Sequence, residues 1–248
     1  MKKFPYLFLL MTVLCACGAK QPKTTNSPIR TMGGDDATIY GLVCDGTNDT
    51  IVIYLNDPYD GADPDTLDIL EASRNRQVFG YLKIGDKIAL MRDTTDTTRA
   101  RLVIVTQDLL GQWCYKAKPT LRRKAHNDGQ ATATVIQQLP DSIKSLLEEE
   151  LELGFILKID SMAMPVGIRA ITTIDEDSPV EYPQVKRYRQ WYIKNGKLIL
   201  TEASVDSLGN RTSLHADTAL LVKLTPDTLT LKIADEERSY YRKTEMPE

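Results

Sequence analysis

Few side chains in this sequence belong to the types that bind metals or act as nucleophiles. It contains four cysteines, Cys15, Cys17, Cys44 and Cys114, and two histidines in 248 residues. A metal site needs cysteine, histidine or carboxylate ligands at close, regular spacings, and a dithiol redox centre needs a Cys-x-x-Cys pair. Neither pattern occurs, so the cysteines predict no metal site, no redox activity and no cofactor.

The histidines and the common catalytic motifs point the same way. His126 and His215 lie about 90 residues apart, outside any cluster of ligand residues. The sequence has no Gly-x-Ser-x-Gly elbow, no phosphate-binding loop and no His-Glu-x-x-His. Any two carboxylates could meet in a fold to hydrolyse a glycoside, so that reaction stays open. We predict that the protein is not an enzyme.

The chemistry most strongly indicated concerns Cys17. Lys2 and Lys3 precede a short apolar stretch, 4–13, which is followed by Leu14-Cys15-Ala16-Cys17. A positive start, an apolar core and small residues before a cut are typical of a secretory signal peptide. The quartet resembles a bacterial lipobox, which implies removal of residues 1–16 and acylation of Cys17. The alternative is an ordinary secretion signal in which Cys17 has no role.

A lipobox implies a location in the bacterial cell envelope. Several acyl chains, at about 0.8 kcal/mol per buried methylene, hold a protein on a membrane stably. The predicted membrane partner is therefore reached through Cys17. Lys20 and Lys23 follow it without the acidic run that is typical of surface-exported lipoproteins. This favours an outer membrane lipoprotein that faces the periplasm.

Removal of the signal peptide changes the charge and the cysteine count. The loss of Lys2 and Lys3 lowers the basic residues from 31 to 29 against 34 acidic ones, a net charge of 29 − 34 = −5. An acidic chain does not predict nucleic acid as a partner. Cys44 and Cys114 remain, either as a disulfide, which an oxidising envelope permits, or as two separately buried thiols. We favour the second alternative.

The mature chain divides into a tether and two β domains. Residues 17–37 are polar and contain too few apolar side chains to order themselves, so they predict a flexible tether. Residues 38–106 contain five or six short β-branched stretches separated by turn residues, which is typical of a small barrel. The stretch 81–90, with Gly85-Asp86 at its centre, is similar to a hairpin of OB-like and SH3-like barrels.

Residues 107–244 contain seven or eight further strands and one short helix. Asn195-Gly196 between two apolar runs is a strong hairpin signal. Asp141 is suited to begin a helix over 141–150, because apolar side chains follow at three- and four-residue spacing. The predicted fold class is therefore all-β: a small OB/SH3-like barrel followed by an eight-stranded antiparallel barrel with one short helix.

The order of several motifs in 107–244 resembles one family, the lipocalin-like domain of envelope lipoproteins from anaerobic gut bacteria. The motifs are Gly111-x-Trp113, Tyr188-Arg189-Gln190-Trp191, 196–200 and 217–229. The resemblance implies an eight-stranded calyx with one closed end. It also implies that Trp113 lies at that end beneath an arginine near the C-terminus, with Arg242 as the first candidate and Arg238 as the second.

Two functions remain open at this stage. The first is a non-catalytic scaffold or interaction role, in which the barrel is filled by its own side chains and binds an envelope protein partner. The second is lipocalin-type binding of a small apolar ligand or lipid within the barrel. The predicted helix could lie across the barrel mouth as a lid or pack on its outer wall.

Overall fold

The structure is a computed structural model that describes residues 35–121, 139–167, 179–205 and 211–244. The predicted signal peptide, Cys17 and His126 lie outside these ranges. The described chain is mostly β, which confirms the prediction of an all-β fold. Its strands form a six-stranded sheet, an eight-stranded sheet and a small two-stranded sheet.

The first sheet is built from six strands of the N-terminal part. They are β1 (Ile39–Val43), β2 (Ile51–Asn56), β3 (Asp65–Asp68), β4 (Val78–Phe79), β5 (Lys87–Arg92) and β6 (Ala100–Val105). The order is β3-β2-β1-β5-β6-β4, and only β4 and β6 are parallel. A parallel bridge between Asp68 and Arg99 brings the end of β3 to the start of β6, so the sheet curls towards a barrel.

The central strands of this sheet are buried on both faces. In β5 the four residues 88–91 are all buried, and in β6 so are 103–105. Ile88 and Leu90 contribute to the core of the first sheet, whereas Ala89 contributes to the core of the barrel. A strand that is covered on both sides reads as a continuous apolar run rather than an alternating one. The first sheet is therefore packed between its own core and the barrel.

The eight-stranded sheet is an antiparallel barrel. Its strands are β7 (Gly111–Ala117), β9 (Leu151–Leu157), β10 (Ala163–Val166), β12 (Tyr188–Lys194), β13 (Lys197–Val205), β14 (Arg211–Leu224), β15 (Thr228–Ile233) and β16 (Glu236–Lys243). The strand order is β10-β9-β7-β16-β15-β14-β13-β12. Strands that follow each other in the chain are therefore neighbours, as in an up-and-down meander, and the first barrel strand, β7, pairs with the last, β16. This confirms the predicted eight-stranded antiparallel barrel.

The barrel closes between β10 and β12 by few backbone contacts. Met162 and Gln190 form an isolated bridge, and the Trp191 amide donates to the Ser161 carbonyl at 2.9 Å. The two-stranded sheet, β8 (Thr120–Leu121) with β11 (Val180–Glu181), lies beyond the far end of β7. The barrel is thus nearly closed, and its loops divide into two groups at opposite ends.

The closed end is defined by Gly111, the β9–β10 turn and the Asn195-Gly196 hairpin. Gly111 pairs with Leu157, so β7 begins where β9 ends. Phe79, Ala89 and Ile104 of the first sheet belong to the same buried cluster as Trp113 and Leu198 of the barrel. The first sheet therefore packs at the closed end, and the open end lies away from it.

The described ranges contain three short helices, whereas the sequence predicted one. They are α1 (Leu70–Arg74), α2 (Thr106–Leu109) and α3 (Asp141–Glu148). The expected helix over 141–150 corresponds to α3, whereas α1 and α2 are too short to show a helical period in the sequence. Strand β4 ends at Phe79, because Gly80 adopts φ +91° and turns the chain.

Candidate functional site

The closed end of the barrel is organised around a buried tryptophan. Trp113 is fully buried, and its indole N–H donates to the Leu109 carbonyl at 2.7 Å. Leu109 is the last residue of α2, which joins the two sheets. The hydrogen bond satisfies the polar group of a side chain that is otherwise packed among apolar residues. Trp113 is thus held in one orientation at the base of the barrel.

Arg242 covers the tryptophan. Its guanidinium carbon lies 4.1 Å from the Trp113 ring centroid, a cation–π geometry. The same guanidinium donates to the Asp108 carbonyl at 2.6 Å and to the carbonyls of Leu110 and Pro226. Burial lowers the pKa of Arg242, although a guanidinium stays charged in proteins. One side chain therefore ties the last strand to the connection between the sheets.

Gly111 leaves the room that this arrangement needs. It has φ +121°, a conformation that residues with a Cβ rarely adopt. A Cβ built on it would lie 2.6 Å from the Arg242 Nη1 atom. The structure thus places Gly111, Trp113 and Arg242 together, at contact distance, at the closed end. Their arrangement supports the structure and contains no group aimed at a substrate.

The second candidate arginine contacts a different ring. The Arg238 guanidinium carbon lies 4.2 Å from the centroid of Tyr115, two residues after Trp113 on β7, and the guanidinium also pairs with Glu236. Arg238 and Arg242 point to the same face of β16, since each lies two residues from Tyr240 and they are four residues from each other. The barrel therefore contains two stacked arginine–aromatic pairs, one above the other.

Aromatic rings occupy the middle of the barrel. Phe155 of β9 contacts Tyr188 of β12 with ring centroids 6.1 Å apart, and Tyr240 of β16 at 5.1 Å. Tyr240 also meets Tyr115 edge-on at 5.5 Å. Since β9 is adjacent to neither β12 nor β16 in the sheet, these rings meet across the interior. The middle of the barrel is filled by the protein's own side chains.

A buried carboxylate lies beside this aromatic layer. Asp217 is 9% exposed and accepts a hydrogen bond from the Tyr188 hydroxyl at 2.6 Å. The Asp217 carboxylate also contacts the Lys186 ammonium at 3.0 Å and His215 Nε2 at 3.3 Å. His215 lies in the strand β14, and its side chain is largely exposed.

The surroundings shift the pKa values of these groups in opposite directions. Burial alone would raise the pKa of Asp217, but the hydrogen bonds from Tyr188 and Lys186 and the charges of Lys186 and His215 outweigh it and lower the pKa. Burial, followed by the hydrogen bond to Asp217, raises the pKa of Tyr188. Burial raises the pKa of Tyr240 to about 12. Asp217 is thus a charged structural group.

The sequence did not identify the contact between Tyr188 and Asp217. Both residues occur in the motifs that carry the lipocalin-like resemblance, but 29 positions separate them. The signal that could have found them is their placement on facing positions of β12 and β14, two strands from each other in the barrel. That placement depends on strand register, which the sequence alone does not fix.

A depression opens where β7 and β16 separate. Their pairing covers 112–114 with 241–243, and it is not continued towards the open end within the described pairs. The depression has a volume of about 490 Å³, and its lining consists of Tyr115, Lys116, Ala117, Arg238, Ser239 and Tyr241. It lies on the barrel wall, above the aromatic layer.

The two cysteines among the described residues are free. Cys44 is half-buried in the first sheet, and Cys114 is buried in β7, where burial raises the pKa of its thiol. Among the described residues, no group of three or more histidine, cysteine, aspartate or glutamate side chains is placed to hold a metal. None of the helices in the described ranges is long and apolar enough to cross a membrane.

Helix α3 lies at the open end, before β9 begins. It packs next to β11, and none of its residues is buried. Glu150, just after the helix, pairs with Lys116 of β7 at 2.7 Å. The helix is therefore fixed beside the depression through the start of β9, rather than through a buried apolar face.

Comparison with known proteins identifies one family in the C-terminal part. Residues 180–244, from β11 to the end of β16, match the family model described as lipocalin-like. No curated protein matches this chain. A crystal structure of a lipocalin-like protein from Bacteroides thetaiotaomicron VPI-5482 is 18% identical, with a TM-score of 0.28, and covers 55% of this chain and 97% of that chain. Residues 180–244 are thus similar to the lipocalin-like family over part of the barrel.

Proposed function

We propose that this chain is a lipid-anchored protein of the bacterial envelope with a non-catalytic interaction role. The observation that carries the role is the filling of the barrel by Phe155, Tyr188 and Tyr240, which leaves the middle of the barrel to the protein's own side chains. The anchor rests on the lipobox-like residues that precede Cys17. A filled barrel on a tether is suited to present its surface to an envelope protein partner.

The anchor is tested by comparing the precursor with its Cys17→Ser variant in a Gram-negative host. We expect the unchanged protein in the outer membrane fraction, with Cys17 acylated at a new N-terminus by mass spectrometry. The variant should leave that fraction. An unmodified Cys17, with both proteins soluble, would contradict the anchor.

The interaction role is tested by native mass spectrometry of protein purified from membranes under gentle conditions. A mass that corresponds to the acylated protein alone supports a barrel without a bound small molecule. Chemical crosslinking in intact cells then reports which envelope protein lies next to it. A stoichiometric apolar adduct in the native spectrum would contradict the interaction role and favour the second candidate.

The second candidate function is binding of a small apolar ligand or lipid. The open depression of about 490 Å³ beside Tyr115 and Ala117 is the place on the described surface where such a ligand would lie. An Ala117→Trp variant should fill the depression and displace such an adduct. Ala62→Trp, at an exposed position in the loop between β2 and β3, is the matched control and should retain it.

A further inference from the structure

Two aliphatic side chains on the outer wall of the barrel are exposed next to each other. Leu220 is 45% exposed and Val222 is 44% exposed. Both belong to β14, in which the neighbouring Ala219, Leu221 and Leu224 are buried in the core of the barrel. Residues two positions apart on a strand lie roughly 7 Å from each other. Leu220 and Val222 therefore form a small apolar strip that faces outward.

Lysine side chains surround this strip on three neighbouring strands. Lys232 of β15 is the cross-strand partner of Leu220, and the register of the β13–β14 pair places Lys197 on the other side of Leu220. An irregularity of the β14–β15 register at Val222 leaves both Val222 and Lys223 on the outside. Directly opposed residues of neighbouring strands share a face. We call Leu220, Val222, Lys197, Lys223 and Lys232 the β14 patch.

The positive charges of the patch are not neutralised within the part of the chain that the structure describes. Lys197, Lys223 and Lys232 are exposed and form no ion pair there, in contrast to lysines such as Lys87, which pairs with Asp57 at 3.0 Å. The protein as a whole has a net charge of −3. Three unpaired lysines beside exposed aliphatic side chains thus mark a contact surface of defined charge on an acidic protein.

The chemistry of the patch indicates an acidic partner. Charged groups on one side of an interface are matched by opposite charges on the other side, and the apolar centre of an interface is matched by apolar side chains. A segment that carries an apolar side chain between carboxylates meets both requirements. Its attraction to the lysines would also steer the two proteins together.

Acidic residues at the border of the patch favour a narrow partner over a broad anionic surface. Glu237 lies opposite Lys232 across the β15–β16 pair, and Asp227 lies in the turn between β14 and β15. A lipid surface with negative headgroups would meet these carboxylates together with the lysines, whereas a protein segment can contact the patch alone. A second copy of this chain, paired symmetrically, would bring the lysines against one another.

We propose that the β14 patch binds an acidic segment of an envelope protein partner, in which an apolar side chain contacts Leu220 and Val222 and carboxylates pair with the three lysines. This inference rests on the proposed interaction role. It gives that role a place on the molecule, the outer wall of the barrel, and a chemistry, the recognition of carboxylates beside an apolar side chain.

A carbodiimide tests this contact, because it joins a lysine amine to a carboxylate only where the two groups touch. It is added to intact cells that make the unchanged full-length protein, and the linked peptides are identified by mass spectrometry. We expect links from Lys223 and Lys232 to aspartate or glutamate of another protein. They should be roughly fivefold more abundant than such links from Lys83 and Lys158, which are exposed on other surfaces and serve as controls.

Two variants measure whether the complex itself depends on the patch. The patch variant combines Lys197→Gln, Lys223→Gln and Lys232→Gln. The control variant removes the same charge at exposed positions elsewhere, by Lys83→Gln, Lys118→Gln and Lys158→Gln. We expect the yield of the complex after formaldehyde crosslinking to fall roughly fivefold in the patch variant and to stay unchanged in the control variant. Equal melting temperatures show that both variants are folded.

The possible failures are distinguishable. A complex whose yield is the same in both variants would overturn the β14 patch while the interaction role stands. Links from the patch lysines to a second copy of this chain would overturn the acidic partner in favour of self-association. Binding of the Cys17→Ser form to phosphatidylglycerol vesicles, lost when the patch substitutions are added, would overturn it in favour of a lipid surface. The absence of any crosslinked complex would overturn the interaction role and this inference with it.

Discussion

Arg242 connects three parts of the chain that are distant in sequence. Its guanidinium stacks on Trp113 of β7. It also donates to the carbonyls of Asp108 in α2, of Leu110 just after α2 and of Pro226 in the β14–β15 turn. A planar guanidinium can donate in several directions while its face stacks on a ring, and a lysine ammonium cannot reproduce that geometry. The role of Arg242 depends on this shape as well as on its charge.

Arg242→Lys should therefore destabilise the protein although it keeps the charge. We expect a loss of about 2–3 kcal/mol in the free energy of unfolding, since stacking on Trp113 and several charge-assisted hydrogen bonds are lost together. Urea unfolding followed by fluorescence measures it. Arg238→Lys is the matched control, because Arg238 also stacks on a ring but pairs only with an exposed Glu236, and we expect a loss below about 1 kcal/mol. Equal losses in both variants would contradict this role of Arg242.

Asp217 makes the stability of the barrel dependent on pH. The pKa of Asp217 is lowered in the folded state, and its unfolded-state value is about 4. Its stabilising effect is therefore complete above about pH 4 and is lost as the pH falls through the folded-state pKa. Protonation would also weaken the contacts with Tyr188 and Lys186.

Asp217→Asn should remove this contribution. We expect the variant to be less stable than the unchanged protein at pH 7, by about 1–2 kcal/mol, because a charge-assisted hydrogen bond is lost. The difference should shrink as the pH falls below 4 towards the lowered folded-state pKa of Asp217, at which the carboxylate becomes protonated. Urea unfolding at pH 7 and at pH 3 measures it, with the exposed Glu237→Gln as control. A difference that stays constant over this range would show that the charge of Asp217 is not what stabilises the barrel.

At the scale of elements, strands with strong local signals could be predicted from the sequence. The Asn195-Gly196 hairpin joins β12 and β13, with both residues at positive φ, as its turn chemistry requires. The strand β14 is longer than its apolar run, which starts at Ala219, because the polar stretch before it pairs with β13 along its length. Pairing with β13 sets the residue at which β14 begins, and the local sequence of β14 does not show that pairing.

The candidate site was less accessible from the sequence than the fold. Trp113 and Arg242 could be proposed as a pair only because the resemblance supplied their relationship. The aromatic layer of Phe155, Tyr188 and Tyr240 depends on which face of each strand points inward, and a shift of one residue would reverse it. Long-range register, rather than residue type, is what the sequence left undetermined.

The attachment of residues 35–37 to the β12–β13 turn gives a prediction at this scale. Asn195→Gly keeps a residue that tolerates φ +49° but removes the hydrogen bonds of the side chain to Ala37 and Asp35. We expect faster amide exchange at Ala37 with little change in global stability. Asn48→Gly, whose side chain orders its own turn in the first sheet, is the control and should leave Ala37 unaffected. Unchanged exchange at Ala37 in Asn195→Gly would contradict this attachment.

At the scale of the whole molecule, the two sheets share a core. Ile104 of the first sheet is fully buried in the cluster that contains Trp113 and Leu198 of the barrel. A Cβ on Gly196, in the barrel hairpin, would lie 2.2 Å from the Leu102 side chain. The contact between the sheets is therefore as close as the packing within each of them. Two units joined in this way should unfold as one.

Cooperative unfolding is tested with a substitution far from the barrel. Both tryptophans, Trp113 and Trp191, lie in barrel strands, so their fluorescence reports on the barrel and on the core that it shares with the first sheet. Val52 is buried in the separate core of the first sheet, and Val52→Ala should cost about 2 kcal/mol. If the sheets unfold together, that loss lowers the urea midpoint seen by tryptophan fluorescence by the same amount as the midpoint seen by circular dichroism.

Ile104→Ala in the shared core provides the positive control, because it removes packing that both sheets use and must shift both midpoints. A Val52→Ala variant that alters the circular dichroism transition while the fluorescence midpoint stays unchanged would show that the first sheet unfolds independently. The shared core would then be a contact surface between two autonomous domains. The close approach at Gly196 and the continuous burial of β5 and β6 argue for the single transition.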